Sequence, residues 1–513
     1  MRCTYMICKV ANRNAARLLA VLVLLGVTGT AFGQASIAPA PDASLGAMTL
    51  TSKSPEARRL VVEAMRLGLD LVEQEQSDVM LRQAIKLDPD FAMAHELLAQ
   101  NSLDPAEQVV ENAKAIALKD HASPAERLVI EWWQDASDHK LISAITKMND
   151  VLSQYPHDKW VIFMATNWLT TQTQYERAIA VYERSGINDS PGLMNNMGYC
   201  YAYMREFDKS LVLMDKYVAA LPKDANPEDS YAEILRMAGS FNKSLEHYRA
   251  ALAIDPKFYS SQFGIADTYS LMGDQVRARQ EYEAGFKKFP LPELHQVQWR
   301  TREAETFIRE SDLKGADHAF QALADDAHAK HMSQVEADIY RQMAIYQPDT
   351  KQALAFLNKA DGALKEGKNS MPASIHQEQA QILRARVELA VKTGNRQAMH
   401  TLLVRLGEMS STSTDRLIDS AYQGAAGAAL FSQKKYDDAI SHLEEDKNNP
   451  LSLKLLALAY QKIGYSAGVK RTSDTLANLN DPSLEQALVV PEFRKCYEDS
   501  SCNSNVRPVS LKK

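Results

Sequence analysis

Large apolar residues recur three or four positions apart through most of the chain, the spacing that puts them on one face of an α-helix. The pattern is sharpest between residues 191 and 290. Met194, Met197 and Tyr201 make one apolar stripe there, and Leu211 and Met214 begin another. The polar turn Arg205-Glu206 separates the two. Two further helix–turn–helix units follow, with turns at Gly239-Ser240 and Gly273-Asp274. No run reads as a strand, so the pattern predicts an all-α chain.

The units keep a fixed period. Pro222, Pro256 and Pro290 lie 34 residues apart. Gly198, Ala232 and Ala266 keep that step and are all tiny. Ser210, Ser244 and Ala278 keep it and are small, while Met214, Tyr248 and Tyr282 are large. A period of this size predicts stacked supersecondary units. The sizes have a mechanical meaning: helix axes come within about 8–10 Å only where the side chains at the crossing are small. The proline then stops the second helix, because it has no N–H and disfavours helix just before it.

Met194, Met197, Gly198, Tyr201, Phe207, Ser210, Met214, Tyr217 and Pro222, with their counterparts 34 and 68 residues on, resemble the tetratricopeptide repeat family. "YRAALAIDP" (248–256) is especially similar. The resemblance implies an α-solenoid of stacked helix–turn–helix hairpins. Two positions depart from it: Gln275 stands where the other units have Phe207 and Phe241, and Gly285 weakens its helix by about 1 kcal/mol relative to Ala.

The pattern extends both ways from this centre. Residues 55–158 read as N-terminal hairpins, 159–290 as well-formed repeats and 291–480 as divergent hairpins. Residues 481–513 read as a last helix and tail. Ser54-Pro55 starts the first helix, and 104–107 and 123–126 have the form of capping boxes. Trp132 and Trp133 are expected in a hairpin core, and Tyr175 and Tyr182 as core tyrosines.

Composition changes the picture only at the start. Arg13 and Arg17 precede "LLAVLVLLGV" (18–27), and Ala31-Phe32-Gly33 follows. This is the form of a secretory signal peptide over residues 1–33, cleaved after Gly33 or Ala35. The alternative is an uncleaved anchor. Residues 34–54, rich in Ala, Pro, Ser and Thr, are expected to be a flexible leader. The chain is therefore expected to be exported, periplasmic or extracellular, with no membrane span after cleavage. Residues 1–33 hold four basic residues and no acid, so 54 basic and 65 acidic side chains remain, a net charge of −11. That balance argues against nucleic acid and anionic lipid as partners. Cys496 and Cys502 are placed to close a disulfide loop in an oxidising compartment, and Cys200 reads as a buried small side chain.

Chemical signatures are sparse. The stretch 362–368 has phosphate-loop spacing, but Asn369 replaces the required Ser or Thr and no strand precedes it. Asp325, His328 and His331 have metal-ligand spacing, yet a solvated polar face is the better reading. No cofactor, no metal and no catalytic residue are predicted. By the resemblance, a protein or peptide ligand would lie in the concave groove lined by the first helix of each unit. Carrying that phase over gives Trp160, Phe163 and Asn167; Asn195, Tyr199 and Tyr203; Asp229, Glu233 and Arg236; and Phe263 and Asp267. Aromatic rings with amides suit a peptide. The expectation is a non-enzymatic binding scaffold, whose binding Tyr199→Ala with Tyr203→Ala abolishes without unfolding it. The alternative is an enzyme or regulatory subunit, which needs a pocket of convergent polar groups near residues 295–400. Partner identity and oligomeric state are not readable.

Overall fold

A computed structural model describes residues 48–498, except 72, 73, 139, 368–370 and 414. The expected signal segment, most of the leader and Cys502 lie outside the described residues. Among those described there are 25 α-helices, a single 3-10 turn and no strand. The first hairpins are α1 (Pro55–Asp70) with α2 (Gln74–Leu87), α3 (Ala92–Asn101) with α4 (Pro105–Leu118), and α5 (Pro124–Ser137) with α6 (Leu141–Gln154). The centre is α7 (Lys159–Thr171) with α8 (Tyr175–Ser185), α9 (Pro191–Tyr203) with α10 (Phe207–Ala220), α11 (Ala225–Met237) with α12 (Phe241–Ile254), and α13 (Tyr259–Met272) with α14 (Gln275–Lys288). Then come α15 (Glu293–Arg309) with α16 (Leu313–Ala329), α17 (Ser333–Tyr346) with α18 (Thr350–Glu366), and α19 (Pro372–Thr393) with α20 (Arg396–Ser413). The chain ends with α21 (Arg416–Ser432) and α22 (Tyr436–Glu445), α23 (Pro450–Lys462) and α24 (Ser466–Ala477), and the single helix α25 (Leu484–Glu498). Successive helices pack on one another throughout, so the chain is an α-solenoid of tetratricopeptide-like hairpins.

The small residues sit at the crossings as predicted. Ala232, Ala266, Ser210, Ser244 and Ala278 are fully buried. A Cβ on Gly198 would run into Met214, and the Ser210 hydroxyl donates to the Gly198 carbonyl at 2.6 Å. Turns between paired helices share a feature that the apolar pattern does not carry. Eight of them place one residue in the left-handed region near the middle of the turn: Thr173, Arg205, Gly239, Gly273, Ser311, Gly394, Lys434 and Gly464. In four of these eight hairpin turns a residue with a side chain takes a conformation that strains any residue but glycine; Gly239, Gly273, Gly394 and Gly464 fill the others without penalty.

Both departures from the repeat have local causes. Gln275 donates to the Ser270 carbonyl at 2.8 Å, tying down the turn where phenylalanine packs in its neighbours. Gly285 makes room for the Phe263 ring, which would lie 2.7 Å from a Cβ there and stacks on Trp299 at 4.8 Å. Ser54 and Ser123 cap their helices as expected, and Ser123 with Glu126 completes a capping box. At α4 the box is only half made. Asp104 caps Ala106, but Glu107 turns to Arg82 on α2 at 2.8 Å instead of reaching back. Trp132 and Trp133 are buried and stacked at 5.0 Å.

The stack curls until it meets itself. Helix α19 touches α5, seven hairpins earlier. Both ends of the described chain also fold onto the inner side. Helix α1 packs on α7 and α9, with the Tyr217 hydroxyl bound to the Asp70 carbonyl at 3.3 Å. Helix α25 packs on α15, where Leu484 and Ala487 join the core of Leu294, Val297 and Ile308. The strand of chain before α25 is held by the Arg205 guanidinium donating to the Asn478 carbonyl at 2.7 Å, and by the Asn480 amide donating to Met237 at 3.3 Å.

Candidate functional site

The predicted groove residues lie on the first helices of their hairpins, and most of them are buried. Trp160, Phe163, Asn167, Asn195, Tyr199, Asp229, Glu233, Arg236, Phe263 and Asp267 are all buried, each at 4 % exposure or less. Only Tyr203 keeps accessible surface. The physical reason is close packing: α1 lies against α7 and α9, with the Leu69 carbonyl at Gly192, while Phe263 packs on Trp299 and Tyr282 of neighbouring helices. Tyr199→Ala therefore removes a buried ring and tests the core, not an open groove.

Four of these residues do meet. The Tyr199 hydroxyl donates to Glu233 at 2.7 Å, Arg236 donates to Glu233 at 2.8 Å, and Arg236 lies 3.6 Å from Asp267. Tyr282 donates to Asp267 from the next helix. Burial, then the adjacent Glu233 and Asp229 carboxylates, push the Tyr199 phenol well above its usual value, so it stays a neutral donor. Ser261 binds Asp229 at 2.7 Å. This is a buried polar spine linking α9, α11, α13 and α14.

What remains of the groove is a chamber of about 660 Å³ between the central hairpins and the C-terminal ones. One end is formed by Tyr175, Glu176, Tyr203 and Arg205. Tyr175 and Tyr182 pack against the main core as expected, and Tyr175 also stacks on Tyr203 at 5.1 Å beside this opening. The deeper wall comes from Gln298, Thr301, Arg302 and Glu305 on α15, Arg341 and Gln342 on α17, and Gln377, Glu378 and Arg384 on α19. Asp446, Thr472 and Leu484 close the far side. A pocket of convergent polar groups within residues 295–400 is thus present.

The arginines of its deeper wall are each paired with a carboxylate. Arg302 binds Glu305 at 2.8 Å; Arg341 binds Asp338 at 2.5 Å and Glu378 at 3.0 Å; Arg384 binds Glu388 at 2.9 Å and Asp446 at 2.8 Å. Burial pulls the Arg384 guanidinium down, but Asp446 and Glu388 outweigh it and raise it further. Buried ions are tolerated only when paired this way. Three lining atoms make no hydrogen bond among the described residues: Gln298 Nε2, Gln377 Oε1 and Thr472 Oγ1. These C-terminal residues escaped the sequence reading because their hairpins lost the 34-residue step. The surviving signal is the three-residue pairing of opposite charges on inner helices: Arg302 with Glu305 and Asp338 with Arg341 repeat Glu233 with Arg236.

The remaining candidates resolve simply. His328 is largely exposed and binds Glu336 at 3.1 Å, and His331 occupies a turn with positive φ. Among the described residues no group of three or more His, Cys, Asp or Glu side chains could hold a metal ion. Gly362 lies within α18, a helix and not a phosphate loop. Cys200 is buried, 3.1 Å from the Thr170 hydroxyl, and burial pushes its thiol up to about 12. Cys496 is on α25, and its expected partner Cys502 lies outside the described residues. No described helix is long and apolar enough to cross a membrane.

No protein-family model matches the chain, and no curated protein matches it. Its backbone is similar to several solved repeat structures. A tetratricopeptide repeat protein from Parabacteroides merdae ATCC 43184 is 14% identical over 56% of this chain and 99% of its own, with a TM-score of 0.35. Cut9 with Hcn1, from an APC/C hetero-tetramer, is 15% identical over 81% of this chain and 76% of its own, with a TM-score of 0.38. Human IFIT1, a dimer with PPP-AAAA, is 13% identical over 83% of this chain and 95% of its own, with a TM-score of 0.34. At such low TM-scores the likenesses carry no argument, and the solenoid assignment rests on the chain's own hairpins.

Proposed function

We propose that the chain is a non-enzymatic scaffold that holds a peptide, or a segment of a partner protein, in the axial chamber. The observation that carries this reading is the chamber itself. Side chains from helices nearly 300 residues apart in sequence, on α8 and on α24, converge on one partly open cavity lined by many polar side chains, roughly within the size range of ligand pockets. The N-terminal segment supports export, so the ligand would be met in the periplasm or outside the cell.

The enzymatic alternative has its required pocket, so it stays a second reading. Each of the deep carboxylates Glu305, Glu378 and Asp446 is bound to an arginine, an arrangement that suits holding a fixed wall better than moving protons. The two readings separate in one experiment. The full chain is incubated with peptides digested from its own envelope fraction, and retained species are identified by mass spectrometry. Binding predicts intact peptides in fixed stoichiometry, reduced by Tyr203→Ala. Cleaved or modified peptides, formed only with the protein present, would establish the enzyme instead. Retention of no peptide sinks the scaffold reading. Export is tested by fractionating cells that express the full chain and sequencing the mature N-terminus.

A further inference from the structure

We infer that the chamber selects an uncharged peptide segment and reads it through amide groups. This deepens, and rests on, the reading of the chamber as a peptide site. Two independent features of the wall point to it.

The first is charge balance. Arg302, Arg341 and Arg384 each already face at least one carboxylate at 3.0 Å or less. A ligand carboxylate entering here would have to displace a buried internal partner, leaving that partner's charge uncompensated. An ammonium would have to compete with an arginine for the same acid. Either exchange is costly in a desolvated space. At these three arginines the deeper wall therefore rewards neither sign.

The second is what the wall leaves unsatisfied. Gln298 and Gln377, at 2 % exposure, offer an amide N–H and an amide carbonyl, and Thr472, also at 2 %, offers a hydroxyl. Buried polar atoms normally have partners, and unpartnered ones cost more than the bonds they lack. Here one neutral donor, one neutral acceptor and one group of either kind line the same cavity. A peptide unit presents the complementary pair, an N–H and a C=O, at every residue, and Asn or Gln side chains present it again. Sugar hydroxyls share part of this chemistry, but the chamber lacks a free aromatic platform among its described lining: its tyrosines, Tyr175 and Tyr203, stack on each other.

The test uses the full chain and three probe sets. The first is a pool of tetrapeptides made from Gly, Ser, Thr, Asn and Gln, acetylated and amidated so that no charge remains. The second is the same pool with one Asp or one Lys. The third is maltotriose. Affinity-selection mass spectrometry, followed by calorimetry on the best binder, reads the outcome. The expected result is selection from the first pool, with affinity reduced about tenfold by Gln298→Leu and again by Thr472→Val, the scale of one lost hydrogen bond. Unchanged melting and helical circular dichroism show that the variants fold. Thr472→Val preserves shape, so it keeps the test valid if Gln298→Leu does not fold. Equal or tighter binding of the charged pool overturns the inference while the peptide reading stands. Binding of maltotriose alone overturns both. So does binding of no probe. Neutral peptides that bind with unchanged affinity to both variants overturn the assignment to this chamber.

Discussion

Gly192→Ala asks whether α1 truly lies on the inner face. Gly192 begins α9, and a Cβ there would lie 2.9 Å from the Leu69 carbonyl carbon and closer still to its oxygen. Ordinary contact at such a position is 3.4–4 Å. The carbon alone demands a retreat of about 0.5 Å, and the oxygen demands more. Backbone at the end of a helix cannot rotate away as a side chain would. The end of α1 must lift from α9, stretching the Tyr217–Asp70 bond. Overpacking a close crossing costs about 1–3 kcal/mol, and a backbone clash sits at the upper end. Gly68→Ala, on α1 itself and directly before Leu69, is the control. Nothing lies within 4 Å of its Cβ, so it should stabilise α1 by roughly 0.5–1 kcal/mol through helix propensity. Because a solenoid opens locally, amide hydrogen exchange along residues 55–70 is a better assay than a global melt. Faster exchange in Gly192→Ala and slower exchange in Gly68→Ala is the expected pair. Wild-type protection of α1 in Gly192→Ala would refute the docking.

Other perturbations test other layers. Ala266→Leu, at a fully buried crossing, should cost about 1–3 kcal/mol in urea unfolding, whereas an unchanged midpoint would mean the crossing is loose. Arg341→Ala strips a buried guanidinium from Asp338 and Glu378 and should cost about 3–5 kcal/mol, read as lost protection across α17 and α19; a neutral result would mean the pairs are solvated. The hydrogen bond from Arg82 lowers the Glu107 pKa. A depressed carboxylate stabilises above its unfolded pKa of about 4.3, and that contribution is lost as pH falls through the folded value. It is small, under about 1 kcal/mol at this half-exposed pair. Glu107→Gln should flatten that acid limb of the stability curve, and an unchanged curve would dismiss the pair. Cys200, with its thiol pushed up to about 12, should resist thiol reagents at pH 8 until the chain unfolds.

The hairpins were legible because crossings obey local rules: Gly198, Ala232 and Ala266 are tiny, and their period survives in the letters. The left-handed turn was legible only where glycine fills it. Arg205 and Lys434 hold the same conformation with ordinary side chains, and nothing in their local sequence marks it. The groove residues expected to be open to a ligand are instead buried, all but Tyr203. Phase is a property of one helix, whereas burial of Trp160 or Asn195 depends on α1 returning across the stack. Nor does any short window reveal that α25 closes on α15, because their contact spans nearly the whole second half of the chain. The chamber lining follows from that closure, which is why Gln298, Gln377 and Thr472 went unread.

Hydroxyl-radical footprinting of the full chain measures directly whether its own ends cover the inner face. Tyr203, half-buried at the chamber mouth, and Tyr175 beside it should be modified, while Trp160, Phe163, Tyr199 and Phe263 stay protected until the fold opens. Modification of Trp160 and Tyr199 at the rate of Tyr203 would mean an open solenoid with a bare groove and no chamber.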